Sequence, residues 1–429
     1  MDGTRTLLVA LLLCLALLGG VAVADDPGDA AALQEQTDDS GDAVQQTDDS
    51  GDAVQQTDDT DRGMSVLAAG NTSEYLAPPP DRIDRTDSRT AGLDVAAAVE
   101  ADAGALESAY VGEATERRYA AATTDAERET ALEEAVERLS ERTAELRSTE
   151  RTAIRQYNDG TIGPHELLRT LTTIHRAAEV TTERLRWAET TANDLGMDST
   201  AERASAHRGQ LVPTGGPIRA ELDTVAAAGG SLGVRIETAG DGMVLAAVDR
   251  TDDTYLREAH DPEARDTQTA DRYNGSPLLA LERVEQLYPW VAENDLGISA
   301  SPIGPVFDRV YRFSIPHPHG ELETYLDSGS EDVVAEFQQN DVGALPIETT
   351  RTTADGHRLV VATTRGGGPL GISVVDAATE SPVDAEIELN GERIGSTGGD
   401  RLWTVSPRGT VSINATHAEG TVSLETAVP

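Results

Sequence analysis

Lysine is absent from this sequence: all 34 basic residues are arginine, set against 76 acidic ones, for a formal net charge of -42. Phosphate backbones are held by clustered Lys and Arg, so this balance excludes nucleic acid as a partner. Aromatic residues make up only 3% of the chain, which leaves Ala, Val, Leu and Thr to build the core. Cysteine occurs once, at Cys14, inside an apolar N-terminal run, so the rest of the chain has neither a disulfide framework nor a thiolate metal site. Long hydrophobic runs are lacking beyond residues 7–18.

What is present fits molar salt. The Debye length falls to about 3 Å at 1 M, so repulsion among surface carboxylates is screened. A Lys stem would add apolar surface that high salt drives towards aggregation, whereas carboxylates hold water and cations. The N-terminus reads as an export signal: Arg5, the apolar run, then Ala22-Val23-Ala24 before Asp25-Asp26. Cleavage there is expected. Retained uncleaved, the same stretch would border on bilayer length and act as a membrane anchor.

Five segments follow from composition and period. Residues 1–24 are the signal peptide. Residues 25–91 are expected to be a disordered acidic spacer, because TDDSGDAVQQ occurs at 37–46 and again at 47–56 with one aliphatic residue per unit. Residues 92–210 have helical period. Leu167, Leu171, Ile174, Ala178, Thr181, Leu185, Ala188, Ala192 and Leu195 form a 4-3 seam. Leu132, Val136, Leu139, Thr143, Leu146, Glu150, Ala153 and Tyr157 form a weaker one, opened by a capping box at Thr124 and Glu127. The breaker cluster 158–164 turns one helix into the next, and an earlier helix near 95–121 is expected to bury Val99, Ala103, Leu106 and Tyr110. Residues 211–365 read as an α+β domain, with a hairpin about Asp241-Gly242 and a helix over 277–293. Residues 366–429 alternate on a two-residue period between turns such as Asn390-Gly391, the pattern of an Ig-like β-sandwich. The fold class is therefore multidomain α+β: a coiled-coil-like helical hairpin domain, an α+β module and a C-terminal sandwich.

Short motifs with a claim to chemistry lack the context it needs. Gly229-Gly230-Ser231-Leu232-Gly233 matches G-x-S-x-G, but a nucleophile elbow runs strand, turn, helix, and here a strand follows. Gly366-Gly367-Gly368-Pro369-Leu370-Gly371 runs on into a strand, offers no helix N-terminus to a pyrophosphate, and reads as an interdomain linker. Asp159, Gly160 and Glu166 imitate the second half of a calcium loop, but Arg155 and Tyr157 replace its first anionic ligands, leaving a hairpin turn. His317-Pro318-His319 could chelate zinc only with a third ligand from elsewhere, such as Asp327 or His260. No catalytic residue, cofactor or metal is expected. Asn71, Asn274 and Asn414 head N-glycosylation sequons, which an exported chain could use.

Two stretches resemble known families. Residues 277–338, with "YRFSI", "PHPHGELETYLD" and "VVAEFQ", resemble the PepSY pattern of a helix followed by strands. That resemblance implies a non-enzymatic extracytoplasmic module, in some relatives one that restrains peptidases. Residues 369–429, with "VVDAATESPVDAEIELNGERIGSTGGDRLWTV", resemble carboxypeptidase-regulatory-like and Ig-like surface modules. Taken whole, the chain resembles exported haloarchaeal proteins of unknown function. The expectation is a non-catalytic secreted or cell-surface interaction or structural protein whose partner is another exported or surface protein. The alternative is an extracytoplasmic peptidase inhibitor or chaperone acting through residues 277–338.

Overall fold

A computed structural model describes residues 63–67, 75–92, 95–306, 308–364 and 367–428. The leader, the TDDSGDAVQQ repeats and Asn71 lie outside the described residues. In chain order the elements are β1 (Ser65–Leu67), β2 (Tyr75–Ala77), β3 (Arg85–Gly92), α1 (Val95–Ala121), α2 (Asp125–Asn158), α3 (Pro164–Asp194), α4 (Asp198–Gln210) and α5 (Pro217–Ala228). Next come β4 (Ser231–Ala239), β5 (Gly242–Asp249), β6 (Thr254–His260), α6 (Pro277–Leu287), α7 (Pro289–Asn294), β7 (Ser299–Ile303), β8 (Val310–His317), β9 (Gly320–Asp327) and β10 (Val333–Asp341). The last are β11 (Ile347–Ala354), β12 (His357–Thr364), β13 (Pro369–Asp376), β14 (Glu386–Leu389), β15 (Glu392–Ser396), β16 (Leu402–Val405), β17 (Gly409–His417) and β18 (Gly420–Val428).

An antiparallel sheet of eight strands, ordered β3-β4-β5-β6-β10-β9-β8-β7, is the centre of the molecule. It consists of two meanders, β4-β5-β6 and β8-β9-β10, joined where β6 pairs with β10. Side chains alternate across it, as a period of two requires. Met243, Leu245 and Ala247 of β5 face one core with α2, α3 and α5, while Val244 faces a second core with α6 and α7. Each meander is preceded by helix, and the two helical covers lie on opposite faces.

The helical seams pack as their spacing demands. Leu132, Val136, Leu139, Leu171, Ile174, Leu185, Ala188 and Ala192 are all buried, and the Thr124 capping box opens α2. Lower on the same helices, Ile154, Tyr157, Leu167 and Leu171 join Leu222, Val234 and Leu245 in one cluster. The helices and the sheet thus share a core across the expected boundary at residue 210.

Four expectations need correcting. Ala103, Leu106 and Tyr110 of α1 are exposed, Leu106 and Tyr110 by more than 70%; the side chain of Val99 is not described. The inward stripe is instead Ser108, Gly112 and Thr115. Arg142 reaches across α1 to the Ser108 hydroxyl and the Gly104 carbonyl, so small residues are what the close approach admits. The spacer assigned to 25–91 ends early: residues 85–92 pair along β4 as the sheet's edge strand, and 75–77 lie on its second face. The helix over 277–293 breaks at Tyr288, because Pro289 has no N–H to continue the ladder. The boundary at 365 also moves: β11 and β12 pair with β13, so Gly367 and Gly368 lie in a hairpin inside the sandwich rather than between domains.

That sandwich consists of sheets β11-β12-β13-β16 and β15-β14-β17-β18, closed on Leu359, Val361, Ile372, Ile387, Ile413 and Val422. Truncating Leu171 or Leu185 to Ala is expected to cost about 2–5 kcal/mol, since both are fully enclosed. The exposed Arg186→Ala is expected to change stability by less than about 0.5 kcal/mol. Urea denaturation in molar KCl checks both values.

Candidate functional site

The residues singled out from sequence do not assemble. Ser231 is an exposed first residue of β4, with helix α5 before it and strand after it, the reverse of a nucleophile elbow. Gly160 turns α2 into α3 at a φ of 78°, and Arg155 is ion-paired to Asp241. His317 ends β8 and is buried; its Nδ1 accepts from the His319 amide at 3.3 Å, and His319 stacks on Trp290 at 4.6 Å. Asp327 and His260 come to neither histidine. Asp327 lies at the far end of β9, paired with Arg265 and capping the turn to Ser330. His260 belongs to a cluster under the helices. Among the described residues no group of three His, Cys, Asp or Glu is placed to hold a metal. Asn274 is exposed in a turn at a φ of 52°, and Asn414 is half-buried on β17, where its Oδ1 accepts from Ser423.

Two buried charge clusters went unseen in the sequence, one on each face of the sheet. Beneath the helices, Arg219 of α5 reaches Glu150 of α2 at 2.7 Å and Glu258 of β6 at 3.0 Å, with His260 Nε2 at 3.0 Å. Burial pushes the Glu258 carboxyl up to about 7 against the pull of Arg219, and burial with Arg219 drives His260 well below its usual value. This cluster is buried between α2, α5 and the sheet, with a small pocket beside Glu150 and His260, and it fixes the helices to the strands.

The second face carries an equally enclosed arrangement. Arg257 of β6 and Glu336 of β10 bridge the seam between the meanders at 2.7 Å, both almost fully buried. Tyr288, at the break between α6 and α7, donates to Glu336 Oε2 at 2.7 Å. Gln338 donates to Oε1 at 3.0 Å. Burial raises the Glu336 carboxyl, against the pull of Arg257. The pair's remaining capacity is spent on the main chain of Leu76: the Leu76 amide donates to Glu336 Oε2 at 2.8 Å, and Arg257 donates to the Leu76 carbonyl at 2.6 Å. Leu76 and Met64 are buried in the same cluster as Val244, Ala259 and Tyr288.

Further along this face the sandwich docks. Trp403, Val405 and Ala362 pack on Ala246, Val248 and Tyr255, and Arg408 grips Glu237 through two bonds of 2.6 and 2.9 Å. Arg250 donates to the Trp403 carbonyl. Between the sandwich and the edge strand β3 lies a cleft of ≈ 380 Å³, lined by residues 86–90 with Asn390, Glu392, Thr404 and Arg408.

A two-faced antiparallel sheet, clad by helices and capped by a β-sandwich, defines a multidomain α+β protein with a C-terminal Ig-like domain. Residues 348–424 match an archaeal fibronectin-III type-like domain, which places the chain among archaeal proteins. Residues 1–231 match a domain of unknown function, DUF7096, and the chain belongs to that family. Residues 234–346 match a family of unknown function, DUF7094. The border between these two models falls at β4, whose pairing with β3 and packing under α5 join both regions in one core. Neither the curated proteins nor the solved structures contain a match.

One consequence is measurable at His317. Burial, and then the neighbouring His319, hold its imidazole at about 4, below the ordinary 6.5. The unfolded chain therefore binds the proton first, and native stability is lost as pH falls from about 6.5 towards 4. His317→Phe is expected to remove this term, narrowing the acid-induced loss by on the order of 3 kcal/mol. Denaturation curves at a series of pH values check it; parallel curves for the two proteins would contradict it.

Proposed function

We propose that this chain is a non-catalytic interaction protein of a salt-loving archaeon, exported through its N-terminal leader and acting in the medium or at the cell surface. The observation that carries this reading is the cleft between β3 and the sandwich. β3 is an edge strand with one side unpaired, a natural template for an extended segment of another chain. Arg89, half-exposed and paired with Asp87 at 3.7 Å, and Arg408 set cations beside the acidic residues of the cleft. The carboxylate and imidazoles displaced furthest from their usual values, Glu258, His260, His175 and His317, do not line this cleft; His260 and His175 border two other pockets. The partner is another exported or surface protein. A glycan on Asn274 would stand clear of the cleft.

A second reading rests on α6, α7 and the following meander, whose helix-then-strands order matches the PepSY-like pattern. On that reading the chain restrains an exported peptidase or shields its substrates.

The test is affinity capture from halophile culture medium in about 2 M KCl, with the leaderless chain and its Arg89→Glu variant as baits. An exported protein retained by the first and lost by the second is expected. Equal retention by both would remove the cleft from the account. Capture of a peptidase, inhibited by both baits, would favour the second reading.

A further inference from the structure

β2 is held in a way that ordinary strands are not. Among the described residues β2 pairs with β1 alone, with Leu76 opposite Val66. In an antiparallel pair the N–H and C=O of one residue point to the same side. Those of Leu76 point away from β1, into the sheet's second face, and both meet side chains: Glu336 accepts the amide and Arg257 donates to the carbonyl. Side chains that read only amide and carbonyl are indifferent to which residue carries them. The apolar surroundings of Leu76, which is 2% exposed, select its side chain.

This is how proteins hold extended peptides: main-chain bonds for affinity and a pocket for an alternate side chain. A buried ion pair is otherwise a weak source of stability, because desolvation offsets its attraction. Here the pair is kept with both carboxylate oxygens engaged on Leu76, Tyr288, Gln338 and Arg257. The chain then leaves the groove through Pro78-Pro79-Pro80, which have no N–H to give and so no ladder bonds to break.

We propose that the second face of the sheet, at Arg257 and Glu336, is a peptide-recognition groove, and that residues 75–77 are its tethered occupant. When this strap lifts, the groove takes an extended segment of another polypeptide that presents a leucine-sized side chain. This goes beyond the interaction reading: the groove is a second site, separate from the cleft at β3. A tethered occupant competes at an effective concentration of about millimolar, so the wild-type groove hides its affinity from micromolar peptides.

The experiment uses the whole chain in molar KCl and a labelled peptide copying residues 73–84. Leu76→Pro removes the amide that Glu336 accepts and frees the groove. Saturable binding is expected to be at least tenfold tighter to Leu76→Pro than to the wild type, and at least tenfold weaker again in Leu76→Pro/Glu336→Gln. Absence of binding to a folded Leu76→Pro chain, or equal binding by the single and double variants, would overturn the proposal. If Leu76→Pro does not fold, hydrogen exchange on the wild type decides. Residues 75–77 are expected to exchange at least tenfold faster than residues 243–248, through an opening short of global unfolding; equal rates would overturn the proposal. Peptide binding without any captured protein would leave the groove standing and remove the β3 cleft, and the converse result would do the opposite.

Discussion

Arg257 and Glu336 make one ion pair on which four parts of the molecule converge. Arg257 comes from the first meander and Glu336 from the second, so the bond crosses the β6–β10 pairing that unites them. Tyr288 brings the α6–α7 break to the same carboxylate, and Leu76 brings the N-terminal strap. A buried carboxylate without its cation would carry an uncompensated charge, which is why loss of one partner costs about 3–5 kcal/mol when such pairs are broken. The orientation of the cover on this face is thus tied to one geometry at the centre of the sheet.

The opposite face repeats the device with different elements. Arg219 joins α2, α5 and β6 through Glu150 and Glu258. Arg408 and Glu237 do the same for the sandwich. Arginine suits all three places because its planar fork stays charged when buried and satisfies two oxygens at once. Arg219 and Arg257 are enclosed with their carboxylates, so ions in solution screen those two pairs little, whereas Arg408 meets Glu237 from a partly exposed position. A core with few aromatics gains specificity from such directional contacts where it lacks large rings to interlock.

Period was the legible signal. The seams of α2 and α3, the hairpin about Asp241 and the alternation of β13 to β18 follow from residue spacing alone. Charge hid the rest. Glu336, Gln338 and Asn340 alternate along β10 as a solvent face would, yet all three are buried, bonded in a row that ends under Leu76 and Tyr288 at Glu336. β3 and β11 are edge strands of Arg, Thr, Asp, Ser and Glu with no apolar alternation; the threonines of β11 were the available clue, as β-branched residues suit a strand. α1 reversed its expected face because packing by Ser108, Gly112 and Thr115 lets arginines from α2 reach over it, which apolar periodicity cannot register. The candidate groove was illegible for the same reason: its ligands are a buried Arg and Glu from distant strands, and its occupant is three residues inside a stretch that reads as spacer.

Arg257 and Glu336 are expected to act as a unit. A double-mutant cycle with Arg257→Met, Glu336→Leu and the double variant, followed by urea unfolding in molar KCl, measures this directly. Each single change is expected to cost about 3–5 kcal/mol, and the double at least about 2 kcal/mol less than their sum, because no charge is then left buried alone. Additivity within about 0.5 kcal/mol would show that the two residues act independently, and would contradict the account.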